Sequence, residues 1–157
     1  MDPRVFCPGC DAARVPRSDI RHETLVVRGE PQAVTADVAV CPVCGEDLVD
    51  AARDDCTLVS AYNTYRQRHG LLLPREIRHL RERYHLSQRL MAQIVGLDLT
   101  TLQRYESGAL QTDADEALLR CLADPQTAYD LATRHRNHLS PRQWALFEEG
   151  LQGDGMI

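Results

Sequence analysis

The sequence predicts an α+β protein in which a small β-hairpin domain is followed by an all-α bundle with a C-terminal helical extension. Three observations predict this architecture. Two C-x-x-C pairs bracket a segment rich in β-branched residues, and residues 50–69 contain neither Gly nor Pro. From residue 74 onward, short apolar stripes at helical spacing alternate with residues that cap helices.

The composition is typical of a globular protein that lies outside the membrane. The 157 residues are 43% apolar and 26% charged. No apolar run approaches the roughly 18 residues that cross a bilayer, and the N-terminus lacks the apolar segment of a signal peptide. We therefore expect a cytoplasmic protein with no membrane partner, whose cysteines stay reduced and bind metal more often than they form disulfides. The net charge is −5, and only residues 70–110, with six Arg against four acidic residues, form a basic stretch.

The chain divides into four segments: a cysteine-containing domain at 1–49, a helix and linker at 50–73, a bundle of short helices at 74–123 and a helical extension at 124–157. Within the first, residues 20–40 have the pattern of two extended runs around a turn at Gly29-Glu30-Pro31. Within the second, apolar residues at helical spacing predict one buried stripe, formed by Leu58, Ala61, Tyr62 and Tyr65.

The two cysteine pairs predict a structural zinc site. Cys7 and Cys10 form the first pair, Cys41 and Cys44 form the second, and 30 residues lie between the two pairs. Four thiolates close a tetrahedron around Zn²⁺ and leave no position for water, so such a site is structural. A metal would also replace the core that about 45 residues are too few to build.

Other interpretations of the polar and cysteine residues are weaker. A thioredoxin-like redox pair requires a βαβ frame, which the pattern lacks. His22 could replace one cysteine as a ligand, but four thiols already suffice, and an exposed strand position is expected for it. Cys56 and Cys121 lie in helical patterns, where we expect small buried apolar residues.

The segment from Pro74 predicts a helix-turn-helix. A first helix places Ile77, Leu80 and Tyr84 on one face, and Ser87 is a suitable N-cap for a second helix at 88–95. Gly96 permits the left-handed turn that follows, and Asp98 is expected to cap a third helix at 99–106. The third helix would bury Leu102 and Tyr105 and expose Thr100, Gln103 and Arg104. The flanking arginines are candidates for phosphate contacts: Arg75, Arg78, Arg81, Arg83 and Arg89.

The stretch from Leu86 to Gly108 resembles the Xre/Cro-type DNA-binding fold. Because it follows two Cys-x-x-Cys pairs, the chain over residues 5–123 resembles the MqsA antitoxins of bacterial toxin–antitoxin systems. The resemblance implies a zinc-bound N-terminal domain that holds a toxin and a helix-turn-helix that dimerises on palindromic operator DNA. It also implies that the third helix enters the major groove. The implied DNA-binding residues are Gln88, Arg89, Thr100, Thr101, Gln103 and Arg104.

Two functions therefore compete. The first is an antitoxin of a type II toxin–antitoxin system that binds its toxin and represses its own operon as a homodimer. The second is a zinc-containing transcriptional regulator without a toxin partner. An enzyme is not expected, because the sequence has no Ser-His-Asp, paired-carboxylate or phosphate-loop arrangement. The role of the tail stays open between dimerisation, covering the core and docking a partner; its apolar residues are Leu131, Leu139, Trp144, Leu146 and Phe147.

Overall fold

The computed structural model describes residues 4–153, which fall into two compact units divided between His69 and Gly70. The first unit contains four strands and one helix: β1 (Val5–Cys7), β2 (Ala12–Arg14), β3 (Arg17–Val27), β4 (Glu30–Val40) and α1 (Ala51–His69). β1 and β2 form one antiparallel pair, and β3 and β4 form a second, long hairpin. The structure therefore confirms the expected α+β fold.

The turn of the long hairpin lies one residue earlier than the sequence pattern predicts. Arg28 and Gly29 both have positive φ, at 48° and 82°, and together form a two-residue connection between Val27 and Glu30. Two left-handed residues match the twist of the flanking strands. Pro31 was expected in the turn but lies in β4 opposite Val26. This pair follows the closing pair of the hairpin and is a non-hydrogen-bonded one, so Pro31 is not required to donate to β3.

Helix α1 packs on β4 through a face that includes Ala61 and Tyr65 of the predicted stripe, but with Thr57 buried in place of Leu58. Thr57, Ala61 and Tyr65 are buried at four-residue spacing, whereas Leu58 is 40% exposed. The inclusion of Leu58 in the buried stripe was therefore wrong. Small side chains at positions 57 and 61 allow the helix to approach the strand closely, which leaves the larger leucine outside. Cys56, expected to be buried, is also exposed.

The second unit contains six α-helices among the described residues. They are α2 (Pro74–Arg83), α3 (Gln88–Val95), α4 (Leu99–Glu106), α5 (Asp113–Arg120), α6 (Pro125–Arg134) and α7 (Pro141–Gln152). The sequence pattern predicts four short helices before residue 123 and two after it, which the structure confirms. Side chains at the N-cap positions of α3, α5, α6 and α7 accept hydrogen bonds from the first turn: Ser87, Thr112, Asp124 and Ser140. Asp98 occupies the N-cap position of α4, but its side chain makes no capping bond, so that part of the prediction was wrong.

The C-terminal tail belongs to the core of this unit. Leu139 and Phe147 are buried together with Ile77, Tyr84 and Leu122 of the preceding helices. The Phe147 ring lies 5.3 Å from the Tyr84 ring, centroid to centroid. The tail therefore covers the core, which is one of the three roles that the sequence left open for it. Trp144, the single tryptophan of the chain, packs at the edge of the same cluster.

Helix α7 approaches the end of α2 at a glycine. A Cβ atom built on Gly150 would lie 2.3 Å from the carbonyl oxygen of Arg83 and 2.8 Å from the Cα atom of Tyr84. Both neighbouring atoms are backbone, so neither can rotate away. The absence of a side chain at position 150 is what permits this close crossing.

Candidate metal centre and nucleic-acid interface

The four cysteines of the two pairs meet at one end of the hairpin. Cys7 ends β1, and Cys41 follows directly after β4. The Sγ atoms of Cys7 and Cys44 are 3.4 Å apart, and those of Cys10 and Cys41 are 3.8 Å apart. All four Sγ atoms lie within 4.8 Å of one another. The predicted ligands therefore form one cluster, and His22 is exposed on β3 outside it.

This cluster has the geometry that a tetrahedral metal ion requires. A Zn–S bond of about 2.3 Å places the sulfurs of a regular tetrahedron about 3.8 Å apart. The observed separations bracket that value, so the residues fit a four-thiolate metal ion. A donor set made only of sulfur favours a soft or borderline ion and leaves no open coordination position.

Each cysteine pair forms a tight loop that ends in a left-handed residue. In the second loop the Gly45 amide donates to the Cys41 carbonyl at 3.0 Å, and Gly45 has a φ of 78°. In the first loop the Asp11 amide donates to the Pro8 carbonyl at 3.3 Å, and Asp11 has a φ of 48°. Asp is one of the few non-glycine residues that adopt this conformation readily. Asp11 and Gly45 therefore occupy equivalent positions, each directly after the second cysteine of its pair.

Backbone amides and burial act on the thiols in opposite directions. Hydrogen bonds from the amides of Cys44 and Val43 lower the pKa of Cys41 to about 6, although burial opposes them. Burial is the main cause that raises the pKa of Cys7 to about 12, with a side-chain hydrogen bond to Cys44 acting the same way. A bound cation would favour the thiolate form at every position, because metal-ligating thiols are deprotonated.

Glu46 links the two loops, although no local pattern in the sequence points to it. Its Oε2 atom accepts a hydrogen bond from the Gly9 amide at 2.9 Å and lies 3.9 Å from the Sγ atom of Cys7. A Cβ atom at Gly9 would come within 2.3 Å of the same oxygen. The glycine of the first loop therefore makes room for the carboxylate that follows the second. Only the folded structure brings residues 9 and 46 together.

The second loop is fastened to the hairpin by backbone and side-chain contacts. The Cys41 amide donates to the Glu46 carbonyl at 2.8 Å, and the Leu48 amide donates to the Ala39 carbonyl at 2.7 Å. Arg21 of β3 forms a bidentate pair with both carboxylate oxygens of Asp47, at 2.7 and 2.8 Å. The pairing with Arg21 lowers the pKa of Asp47. These contacts connect the second cysteine loop to the long hairpin.

The helix-turn-helix of the second unit is formed by α3 and α4. Gly96 has a φ of 81° and makes the turn between them, as expected. Leu102 and Tyr105 are buried, whereas Thr100, Gln103 and Arg104 are exposed on the opposite face of α4. Arg89 is exposed on α3, and Gln88 and Thr101 are half-buried. Three of the six predicted DNA-binding residues therefore share one exposed face of α4, which is the third helix counted from Pro74.

A buried ion pair fixes the side chains at the start of α3. Glu106, 5% exposed, accepts two hydrogen bonds from Arg81, at 2.7 and 3.0 Å. Its Oε2 atom also accepts from the Gln88 amide group at 2.8 Å, and Gln88 Oε1 accepts from Gln103 at 3.3 Å. Burial alone would raise the pKa of Glu106, but the bonds from Arg81 and Gln88 hold it below its usual value.

This network changes the role of one predicted residue. Arg81 was a candidate for a phosphate contact, but its guanidinium is largely buried against Glu106, which raises its pKa. Arg78 donates to the Glu106 carbonyl at 3.1 Å while staying half exposed. Arg75 and Arg89 are exposed. Both therefore remain candidates for phosphate contacts.

Comparison with protein families identifies one match. The model of a family described as the MqsA antitoxin component of a bacterial toxin–antitoxin system matches residues 5–127. The matched region contains the four cysteines of the two pairs and the whole of α3 and α4. Comparison with curated proteins and with solved structures finds no match. Among the described residues, no helix has the length and apolar character needed to span a membrane.

Proposed function

Because the chain belongs to the MqsA family, whose members are antitoxin components of bacterial toxin–antitoxin systems, we propose that it binds its toxin through the N-terminal unit and represses its own operon through the helix-turn-helix. The observation that carries this proposal is the order of the two parts. A closed four-thiol centre lies in the first unit, and a helix-turn-helix with a polar exposed third helix lies in the second. Both activities belong in the cytoplasm, where the operator is.

The metal in this proposal is Zn²⁺, and its role is structural. Cys7, Cys10, Cys41 and Cys44 would hold it, and it would supply the cross-link that joins β1 to the end of β4. Apart from the cysteines, the buried apolar residues packed beside this cluster are few: Ala39 and Leu48. Folding of the two cysteine loops would therefore be coupled to metal binding. Toxin neutralisation then proceeds by surface contact, and no turnover is required of this chain.

The DNA interface follows from the residue types on α4. Arg104 has the planar fork that pairs with the O6 and N7 atoms of guanine, a contact worth about 1–3 kcal/mol of discrimination. Thr100 can hydrogen-bond a base edge or place its methyl group against thymine, and Thr101 stands beside it. Gln88 and Gln103, already hydrogen-bonded to each other, offer amide groups to a base or a phosphate.

The remaining contacts are electrostatic and shared between two copies of the chain. Arg75 and Arg89 would bind phosphates, which makes affinity depend steeply on salt because counterions are released from the DNA. A two-fold dimer would place its third helices in successive major grooves, about 34–36 Å apart. A palindromic operator is the sequence such a dimer reads.

Two measurements test the proposal. Co-expression with the product of the adjoining reading frame should relieve the toxicity of that product and yield a co-purifying complex. Electrophoretic mobility shifts on the chain's own promoter should show binding that Arg104→Ala abolishes and Arg142→Ala, at an exposed position of α7, preserves. Promoter binding without any relief of toxicity would instead support the regulator without a toxin. Equal binding by both variants would contradict the assignment of α4.

A further inference from the structure

The N-terminal unit contains a groove of about 430 Å³ bounded by the hairpin, the loop after the second cysteine pair and the start of α1. Four carboxylates line it, and no Arg or His does: Glu23, Asp37, Asp47 and Asp54. Between them lie the apolar side chains of Leu25, Val38, Val49 and Leu58. The groove is therefore lined by both apolar and acidic side chains.

Two of the four carboxylates already have cationic partners. Asp37 accepts a hydrogen bond from Arg53 at 2.7 Å, and Asp47 is held by Arg21. Glu23 and Asp54 form no ion pair among residues 4–153. Their two negative charges are the ones that a ligand would meet. A phosphate backbone would be repelled here, so nucleic acid is excluded from this surface.

The apolar residues of the groove are exposed beyond what the unit's own packing explains. Val49 is 83% exposed and Leu58 is 40% exposed, although both lie beside the buried Leu48 and Thr57. Exposed apolar side chains grouped with charged ones are a common feature of protein docking sites. The shift of the buried face of α1, which leaves Leu58 outside, is what adds this residue to the groove.

We infer that this groove is where the toxin docks, and that the toxin occupies it with an apolar side chain flanked by Lys or Arg residues. The inference rests on the proposed antitoxin function and adds the surface and the chemistry of the partner. The apolar side chain covers Val49 and Leu58. The flanking cations pair with Glu23 and Asp54, which gives the complex its specificity and its rate of formation.

Neighbouring aspartates of α1 provide a matched test. Asp54 lines the groove, whereas Asp55 is exposed, follows it directly and does not line the groove. With the zinc-loaded full chain and the purified product of the adjoining reading frame, calorimetric titration should show Asp54→Lys weakening binding about tenfold or more, because like charges then face each other. Asp55→Lys should change affinity less than about threefold. Raising the ionic strength should weaken the unmutated complex.

Two valine-to-serine substitutions test the apolar lining of the groove independently. Val49→Ser should weaken binding about tenfold, since the valine side chain would be buried in the complex and a serine loses that apolar contact. Val26→Ser, at a 71% exposed valine on the hairpin, should have little effect. Unchanged zinc content and thermal unfolding establish that each variant is folded.

The outcomes separate this inference from the proposed function. If the unmutated chain forms a complex but the groove variants bind as their controls do, the groove assignment is overturned and the antitoxin function stands. If the unmutated chain forms no complex and relieves no toxicity, the proposed function fails and the groove assignment fails with it. Groove variants that instead disrupt self-association, with toxin binding intact, would assign this face to a second copy and also overturn the inference.

Discussion

Substitution of Gly150 by alanine should destabilise the helical unit, although alanine is the better helix former. The added Cβ atom would lie 2.3 Å from the Arg83 carbonyl oxygen and 2.8 Å from the Tyr84 Cα atom. Ordinary contacts of this kind require about 3.4 Å. Helix α7 must therefore move by about 1 Å relative to the end of α2. That movement would also disturb the contact between Phe147 and Tyr84.

The size of the effect follows from two opposing contributions. Overpacking a close-packed site costs about 1–3 kcal/mol, and more where backbone must move. Replacing Gly by Ala inside a helix stabilises the helix by about 1 kcal/mol. Because both clashing neighbours are backbone atoms, the cost belongs at the upper end of its range. We expect a net loss of about 1–2 kcal/mol in the free energy of unfolding of this unit.

The single tryptophan makes the assay specific to the helical unit. Trp144 lies in α7, so its fluorescence during urea unfolding reports on this unit without interference from the first. Gly153→Ala is the matched control, since a Cβ atom there would meet its nearest neighbours at 3.8 and 3.9 Å. A Gly150→Ala variant that unfolds at the same or a higher urea concentration than the unmutated chain would refute the reasoning.

Three further predictions concern the metal loops and the buried ion pair. Chelation of zinc, or Cys41→Ser, should unfold the two cysteine loops, lower the stability of the N-terminal unit and leave the Trp144 transition in place; loss of the Trp144 transition as well, followed by fluorescence beside circular dichroism, would contradict this. Asp11→Val should release zinc to a competing chelator more readily than Asp11→Gly, because a β-branched residue opposes positive φ at a cost of about 1–2 kcal/mol. Equal release would show that the left-handed turn is unimportant. Glu106→Gln should lower the stability of the helical unit at neutral pH by about 1–3 kcal/mol. Since the folded pKa of Glu106 is depressed, this difference should be full above about pH 4.3 and shrink as the pH falls through the folded pKa; a difference that grows in acid would be the opposite result.

Local signals in the sequence predicted the helices and the four-cysteine cluster. Ser87, Gly96 and Ser140 act within one turn of their own position, through a capping bond or a left-handed φ. Such effects depend on neighbouring residues alone, so they can be predicted from the sequence. The cysteine pairs are also local, because each loop is closed within four residues.

The residues that the sequence did not reveal act across long separations. Glu46 meets Gly9, and Glu106 meets Arg81, through contacts between residues that are far apart in the chain. Their roles depend on which elements become neighbours, and no periodicity encodes that. Leu58 was misassigned for a related reason: spacing identifies an apolar stripe, but the size of the side chains at 57 and 61 decides which stripe can approach β4.

The place of α7 in the core determines where this protein can be divided. Similarity to the antitoxin family stops at residue 127, yet Phe147 and Leu139 fill the interior beside Tyr84 and Leu122. A fragment that ends at residue 127 would lack Leu139 and Phe147. Tyr84 and Leu122, which pack against them, would then be exposed to water. The matched region is therefore shorter than the part of the chain that packs into this core, and expression fragments should extend to at least residue 152.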